Sequence, residues 1–288
     1  MTEIIEPIVY SWSRINSFAL AEKEEGCFHN YYVQYIEGDR GIGNYFSDYG
    51  TLMHETIEKI HNEELFEWDY ESEIRNGLKN LKFKAPFPPM GKSYEKAMYE
   101  FFCNSDVSEM FKDYKMIEAE EEFRINIDGI HIKGFPDMIA EHKKYGLVVV
   151  DYKSSKVYED DKLFHNLMQL YVYAIAVFDK YGKYPDHLIY WFPRMEAGNR
   201  EHVYPFKMED LERTKQFIKD TVAKIIIHNE WTPRCTLVDG SKDFFANQLC
   251  GTRKKCKHKD YFTNQAKKKK VIGKNPFDED DDYDPFAE

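Results

Sequence analysis

The middle of the chain alternates apolar and polar residues. From Phe123, apolar side chains fall at every second position as far as Ile127, and a second alternating run begins at Ile130. The dipeptide Asp-Gly at positions 128–129 separates the two runs, and this pairing is a strong signal for a two-residue hairpin turn. The pattern therefore predicts two antiparallel strands joined at this dipeptide.

Three apolar segments after the hairpin predict further strands. The first contains Asp137, the second is the continuous run Leu147–Val150, and the third is "HLIYWFP" at residues 187–193. A continuous apolar run bounded by turn residues is typical of a central strand that is buried on both faces. Asp151 and Lys153 follow this run directly, so two opposite charges are predicted at the end of a buried strand.

Apolar residues recur at helical spacing on both sides of these strands. Ser11 and Ser13 are N-cap signals at the start of an N-terminal helical segment. The other helices are predicted over residues 49–68, 93–115, 162–182 and 208–231. The fold class is therefore α/β, with a central mixed β-sheet flanked by helices, an N-terminal helical segment and a C-terminal region that contains cysteines.

Composition and charge exclude some classes and leave others open. The 288 residues are 42% hydrophobic and 16% aromatic, which excludes wholesale disorder. The net charge is −11, but residues 274–288 contain seven acids and one base, so more than half of the negative excess lies in the tail. The remaining body can hold a local basic groove, so the net charge does not exclude a nucleic-acid partner.

The two termini carry different signals. No apolar run approaches the roughly 20 residues of a membrane span. Acids stand at the N-terminus where a signal peptide would carry bases, so we expect a cytoplasmic protein without a membrane partner. Residues 267–288 lose the apolar pattern and predict a flexible tail, basic and then acidic. It is either a solubilising end or a docking segment for a protein partner.

The residues at the strand ends suit metal-assisted chemistry. Alternation places Asp151 and Lys153 on one face of their strand, and a neighbouring strand can bring Asp137 to the same face. Two converging carboxylates repel each other unless a cation joins them, and oxygen ligands favour Mg²⁺ or Mn²⁺. The lysine can orient or activate a water, or stabilise negative charge on a phosphate. An ordinary surface ion pair is the alternative.

The spacing of these residues resembles that of the PD-(D/E)XK nuclease superfamily. Pro136-Asp137 is followed after thirteen residues by Asp151-Tyr152-Lys153. Further segments resemble the RecB/Cas4-like exonuclease branch of that superfamily, and they are "SWSRINSF" at 11–18, "CFHNYYVQYI" at 27–36, the GxxxH segment Gly50–His54 and the QxxxY segment Gln169–Tyr173. The matches run in the family's order to about residue 260, so the resemblance implies a restriction-endonuclease-like core.

The resemblance implies a metal site and a catalytic lysine. His54 would be a metal ligand, and Asp137 and Asp151 would be the carboxylates that bridge the metal. The carbonyl of Tyr152 would also face the ion. Lys153 would be the catalytic lysine of the site.

The same resemblance gives a role to the helix after the buried strand. Gln169 and Tyr173 lie four residues apart on one helical face, where they would hold the lysine, a DNA phosphate or the attacking water. Glu121 is a lesser candidate, because acids also stand on either side of it at Glu120 and Glu122 and a solvated acidic face is the simpler interpretation.

Four cysteines match the places where relatives hold a [4Fe–4S] cluster, one early in the chain at Cys27 and three late at Cys235, Cys250 and Cys256. Only Cys250 and Cys256 keep the compact spacing that is common in the family. Zinc on the same thiolates, or no ligand at all, therefore stays open. Cys103 is expected to be an ordinary buried side chain.

The domain organisation follows from these matches. A nuclease domain is expected over residues 1–266, with a helical part at 1–115, a catalytic sheet core at 116–195 and a C-terminal helix and cysteine region at 205–262, followed by the tail at 267–288.

The resemblance implies a metal-dependent deoxyribonuclease. It would be an exonuclease that uses Mg²⁺ or Mn²⁺ on single-stranded DNA or duplex ends in recombination, repair or replication. A bacterial or phage-infected cell would be its setting, and a single-strand-binding protein or a helicase would be its protein partner. A non-catalytic DNA-binding or assembly subunit of a helicase-nuclease or recombination complex is the alternative.

Overall fold

The computed structural model describes residues 8–105, 107, 111–158, 160–233, 244–253 and 256. The chain divides into two compact units. The first consists of residues 1–16 and 43–228, and the second of residues 17–42 and 229–288. Cys235 and the predicted tail at 267–288 lie outside the described residues.

A five-stranded sheet forms the centre of the first unit. Its order is β2-β5-β6-β7-β8, and the strands are β2 (Tyr114–Glu118), β5 (Met138–His142), β6 (Gly146–Tyr152), β7 (His187–Trp191) and β8 (Glu201–Pro205). Only β6 and β7 pair in parallel, and the other neighbours are antiparallel. The predicted mixed sheet is confirmed, with the run Leu147–Val150 in its central strand.

The predicted hairpin belongs to a second, three-stranded sheet. Strands β3 (Phe123–Ile127) and β4 (Ile130–Gly134) pair antiparallel, and β1 (Val9–Tyr10) pairs parallel with β4. The turn residues have φ angles of 50° at Asp128 and 89° at Gly129, as a two-residue turn of this kind requires. The hairpin is therefore confirmed, but it lies beside the main sheet and not within it.

The helices belong to both units. They are α1 (Trp12–Glu22), α2 (Phe28–Tyr35), α3 (Tyr45–His61), α4 (Tyr70–Lys79), α5 (Pro88–Phe102), α6 (Asp160–Tyr181) and α7 (Met208–Ile227). Asn44 caps α3 by accepting hydrogen bonds from the amides of Phe46 and Ser47. In the described part of the chain, none of the helices has the length and apolar character that crossing a membrane requires.

The central strand β6 is covered on both faces. Val148, Val150 and Tyr152 point into a core built with side chains of α3, α4 and α5. Val149 is also fully buried, and α6 contacts β6 as well as β3. Successive side chains of a strand point to opposite faces, so Asp151 shares the face of Val149. Helix α3 and helix α6 thus lie on either side of the strand that ends in the charged pair.

The structure differs from the predicted elements at several places, and α4 is one helix that was not predicted. Helix α5 ends at Phe102, and β2 occupies part of the stretch 93–115 that was expected to be helical. Strands β1 and β8 were not predicted. The first has two residues, and side chains of the second are half-buried or exposed throughout, so neither produces a clear alternation.

Replacing Ile189 in β7 should destabilise the protein strongly. Its side chain is fully buried, and Ile189→Ala leaves a cavity that costs about 2–5 kcal/mol. Ile227→Ala is the matched control, because that side chain is 79% exposed and its removal should change stability by less than about 0.5 kcal/mol. Urea unfolding measures both, and equal losses would contradict the described core.

Candidate active site

The pairing of β5 with β6 brings two aspartates together. Met138 lies opposite Val150, so Asp137 and Asp151 meet at the adjoining end of the two strands. Both carboxylates are buried, with 8% of Asp137 and 2% of Asp151 exposed. One oxygen of Asp137 accepts a hydrogen bond of 2.5 Å from the amide of Tyr152. This bond fixes the carboxylate at the strand edge.

Helix α3 adds a histidine to this edge. The Nδ1 atom of His54 lies 3.4 Å from Oδ1 of Asp137 and 4.0 Å from Oε1 of Glu120. One ligand atom from each of these three residues lies within 4.8 Å of the others, so the group can hold a metal ion. The sequence predicted two of its members, and it left Glu120 among three possible acids.

The electrostatics of His54 reflect this acidic surrounding. Burial opposes protonation of the ring, but hydrogen bonds to Asp137 and Glu120 outweigh it and raise the pKa of His54 to about 10. The negative charge of Asp151 acts in the same direction. A histidine that binds a metal must be neutral, so a cation at this place competes with the proton for the same negative charge.

Backbone geometry selects Glu120 over its neighbours. Glu120 has a positive φ of 52°, and its amide donates to the carbonyl of Pro136 at 3.1 Å. Glu121 instead pairs with Lys180 at 2.9 Å, and Glu122 pairs with Arg124 at 2.7 Å. Three adjacent acids were the signal in the sequence. The choice among them depends on a turn that periodicity does not reveal.

The buried carboxylate of Asp151 forms an ion pair with Lys153, whose side chain is 23% exposed. The ammonium of Lys153 lies 2.5 Å from Oδ2 of Asp151. Burial raises the pKa of Asp151 to about 6 against the opposing effect of Lys153, and the charge of Asp137 raises it further. Burial lowers the pKa of Lys153, but Asp151 outweighs it and the net pKa is raised. Lys153 is therefore an ammonium at neutral pH and not a free base.

Helix α6 supplies the next contacts to the lysine. Oε1 of Gln169 accepts a hydrogen bond of 2.9 Å from Lys153, and Nε2 of Gln169 donates to the hydroxyl of Tyr173 at 2.7 Å. The side-chain amide of Gln169 thus connects the ammonium of Lys153 to the hydroxyl of Tyr173. The structure brings Gln169 and Tyr173 to Lys153, and their part in catalysis stays a prediction.

The side chain of Tyr152 points away from this cluster. Its hydroxyl lies 3.0 Å from Nε2 of His61, in the core between β6 and α3. Only its backbone faces the aspartates, through the amide bonded to Asp137. The predicted contribution of Tyr152 to a metal site is therefore confined to its main chain.

The donor set fits a hard divalent cation. One imidazole nitrogen and several carboxylate oxygens suit Mg²⁺ or Mn²⁺ better than a soft metal. The carboxylates of Asp137 and Asp151 raise each other's energy in a buried place, and a cation between them relieves that repulsion. Asp151 stands outside the three-residue group in the described structure, because its carboxylate contacts Lys153.

The second unit gathers three of the predicted cysteines. Cys27 precedes α2, and Cys250 and Cys256 lie in the C-terminal segment, and all three are buried. Burial raises the pKa of the Cys250 thiol, and negative charge on Cys27 or Cys256 would raise it further because they are near. Cys103 belongs to the first unit and does not join them.

Polar contacts hold this segment in place. The carboxamide oxygen of Asn30 accepts hydrogen bonds from the thiol of Cys250 at 3.5 Å and from the amide of Thr252 at 3.3 Å. The amide of Ile42 donates to the carbonyl of Gly251 at 2.8 Å. Residues that are more than two hundred positions apart in the chain are therefore packed together around buried thiols.

Comparison with known proteins defines the class. A sequence profile of the PD-(D/E)XK nuclease superfamily matches residues 15–257. This match spans most of the chain, and the protein therefore belongs to the PD-(D/E)XK nuclease superfamily. Membership supports hydrolysis of nucleic-acid phosphodiesters and a divalent metal as cofactor.

Solved structures that are similar to the chain include the following two. One is the crystal structure described as "Putative exonuclease" from Eubacterium rectale, with 14% identity, a TM-score of 0.49, and coverage of 80% of this chain and 86% of that one. The other is the crystal structure of SSO0001, with 21% identity, a TM-score of 0.31, and coverage of 67% and 81%. Among curated proteins, no sequence match was found. The family assignment rests on the profile match.

Replacing Glu120 should weaken metal binding, whereas replacing Glu121 should leave metal affinity unchanged. Glu120→Gln removes one charged ligand from the group with His54 and Asp137, so the Kd for Mn²⁺ should rise at least about tenfold. Glu121→Gln is the matched control, because Glu121 pairs with Lys180. Isothermal titration calorimetry measures both variants. Equal affinities for the two would remove Glu120 from the site.

Proposed function

We propose that the protein is a metal-dependent DNA nuclease that hydrolyses phosphodiester bonds at the edge of β5 and β6. The ion pair between the buried Asp151 and the partly buried Lys153, beside Asp137, carries this proposal. Removing the carboxylate of Asp151 from water, with 2% of the residue exposed, costs free energy of desolvation, so such a charge is often found where function requires it. Membership of a nuclease family indicates which function that is.

The catalytic role of Lys153 follows from its protonation state. Because Asp151 keeps the pKa of Lys153 raised, its ammonium can stabilise negative charge on the phosphate oxygens as a nucleophile attacks. In hydrolysis the oxygen of water attacks phosphorus and gives up a proton, while the bond to the leaving oxygen breaks and that oxygen gains a proton. The products are a terminal phosphate and a hydroxyl group. Gln169 orients the ammonium, and Tyr173 orients Gln169 through its hydroxyl.

A divalent cation, Mg²⁺ or Mn²⁺, would supply Lewis-acid chemistry and lower the pKa of water at this site. Its proposed ligands are His54, Asp137, Asp151 and the main-chain carbonyl of Tyr152. Glu120 joins them because its carboxylate lies beside His54 and Asp137. Binding of the cation would require His54 to release its proton.

The finer assignment comes from the RecB/Cas4-like sequence segments. They favour an exonuclease that acts on single-stranded DNA or duplex ends in recombination, repair or replication in the cytoplasm of a bacterial or phage-infected cell. The acidic tail would then dock a single-strand-binding protein or a helicase. The GxxxH and QxxxY segments support this proposal, because the structure brings His54 and Gln169 to the same pair of strands.

Removing the charge of Lys153 should abolish cleavage. Lys153→Met keeps the length of the side chain but loses the ammonium, so cleavage of labelled single-stranded and duplex DNA with Mg²⁺ or Mn²⁺ should fall by at least about 100-fold. Asp151→Asn should have a similar effect. Lys96→Met is the control, because that side chain is 75% exposed and lies in α5.

Three outcomes separate the candidate functions. Cleavage that requires the metal and is lost in EDTA and in Lys153→Met supports the nuclease. Full activity in Lys153→Met would overturn the site. Binding of DNA in a gel shift without any cleavage by the unaltered protein would favour the non-catalytic DNA-binding or assembly subunit.

We also infer that Cys27, Cys235, Cys250 and Cys256 hold a [4Fe–4S] cluster. The support is the burial of three thiols near one another in the second unit, since thiolates need such proximity to share one cluster. The cluster would bind by its irons to the four sulfur atoms. It would stabilise the packing of the C-terminal segment on the residues around α2.

Loss of Cys250 should remove the cluster while loss of Cys103 should not. Protein purified without air should absorb near roughly 400 nm and contain iron. Both signals should disappear in Cys250→Ser and persist in Cys103→Ser, a cysteine that lies in the other unit. If the purified protein contains zinc and no iron, the cysteines hold zinc and the cluster proposal is wrong. If it contains neither metal, the proposal is also overturned.

A further inference from the structure

A small cavity opens beside the catalytic residues in the first unit. Its volume is about 200 Å³, and aromatic side chains form much of its wall, namely Trp12, Phe123, Phe135 and Tyr173. Phe135 is 46% exposed, Phe123 is half-buried, and Trp12 and Tyr173 are buried, so Phe135 is the most accessible aromatic ring of the cavity. Polar side chains, including those of Lys133 and Gln169, complete it.

The second sheet places these residues together. The parallel pairing of β1 with β4 sets Tyr10 opposite Ile132, so the chain enters α1 beside Lys133 and Gly134. A Cβ atom at Gly134 would lie 2.8 Å from the ring of Phe123, so a side chain there would push the ring aside. Phe123 in turn packs edge-on against Tyr173, with ring centroids 5.6 Å apart. Gly134 and Tyr173 therefore place the ring of Phe123 in the wall of the cavity.

Two connections join the cavity to the catalytic site: one is a hydrogen bond, and the other is the chain itself. Gln169 lines the cavity and also accepts the hydrogen bond from Lys153 at 2.9 Å. Phe135 lines the cavity and is separated from Asp137 only by Pro136. Any molecule in the cavity thus lies next to the groups that would act on the phosphate.

The chemistry of the wall suits a planar heterocycle. Aromatic rings stack on nucleobases with little sequence preference, and hydroxyl, amide and ammonium groups can bond the edges of the base. A phosphodiester in the catalytic site has a nucleoside on each side, so a base is the nearest group that the cavity could take. A base that is paired within a duplex is not free to enter, because it would first have to leave the stack.

We propose that this cavity binds one unpaired base of the substrate strand, next to the phosphodiester that is cleaved. The proposal rests on the proposed nuclease function and makes it more specific: the substrate at the catalytic site is single-stranded DNA or a frayed duplex end. Phe135 is then the residue that stacks on the base, and Gln169 couples base binding to the position of Lys153.

A scan with abasic nucleotides tests the cavity. A labelled single-stranded DNA receives one abasic residue, moved position by position past the cleaved bond, and kcat and KM are measured with Mn²⁺. Loss of the base at one position beside that bond should raise KM about tenfold, which is within the range for loss of one stacked base. Phe135→Ala should raise KM for intact DNA similarly and abolish the position dependence.

Matched variants separate stacking from general damage. Phe135→Tyr keeps an aromatic ring and should retain the position dependence. Phe66→Ala should behave as the unaltered protein, because Phe66 is 47% exposed and does not line the cavity. Thermal unfolding confirms that each variant is folded.

The outcomes also distinguish this proposal from the nuclease proposal. If DNA is cleaved with no position dependence, or if the dependence persists in Phe135→Ala, the base site is wrong and the nuclease stands. If the unaltered protein cleaves no DNA, the nuclease proposal fails. The same scan read as binding by fluorescence anisotropy then decides the base site alone, and equal affinity at every position would overturn it.

Discussion

Burial of β6 on both faces is the constraint on which the rest of the site depends. Val148, Val149 and Val150 are fully buried, and Asp151 follows them directly in the strand. The carboxylate of Asp151 therefore cannot be fully solvated by water. A buried charge without a partner costs several kcal/mol. Asp151 therefore contacts Lys153, and Asp137 accepts the amide of Tyr152. The same strand that is buried in the core thus positions Asp151 and Lys153 at its end.

Two helices on opposite sides of this strand contribute different side chains to the site: α3 carries His54, and α6 carries Gln169. On the side of α3, His54 and Glu120 surround Asp137 and make an acidic place for a cation. On the side of α6, Gln169 holds Lys153 and reaches the aromatic cavity. Asp151 links the two sides, because it lies beside Asp137 and contacts Lys153. A change at Asp151 is therefore expected to affect both the place for a cation and the position of the ammonium.

The resemblance of the sequence to a nuclease family was confirmed, and so was the mixed sheet. The hairpin at Asp128-Gly129 and the central strand were predicted because turn residues and a continuous apolar run act locally. The strand β8 was missed because its partly exposed side chains show no period. The placement of the hairpin in a second sheet was missed as well, since strand partners are chosen by packing and not by local pattern.

The sequence by itself determined the chemical groups, their order along the chain, and the burial of the strand that carries Asp151 and Lys153. The spacing of apolar residues and the turn residues are sufficient to predict that strand, because both depend on residues that are close in sequence. Only the tertiary structure decided that Glu120 meets His54 while Glu121 pairs with Lys180, because packing brings the helices that carry His54 and Lys180 to this segment. It alone also revealed the aromatic cavity, whose walls come from residues that are far apart in the chain and meet only through packing.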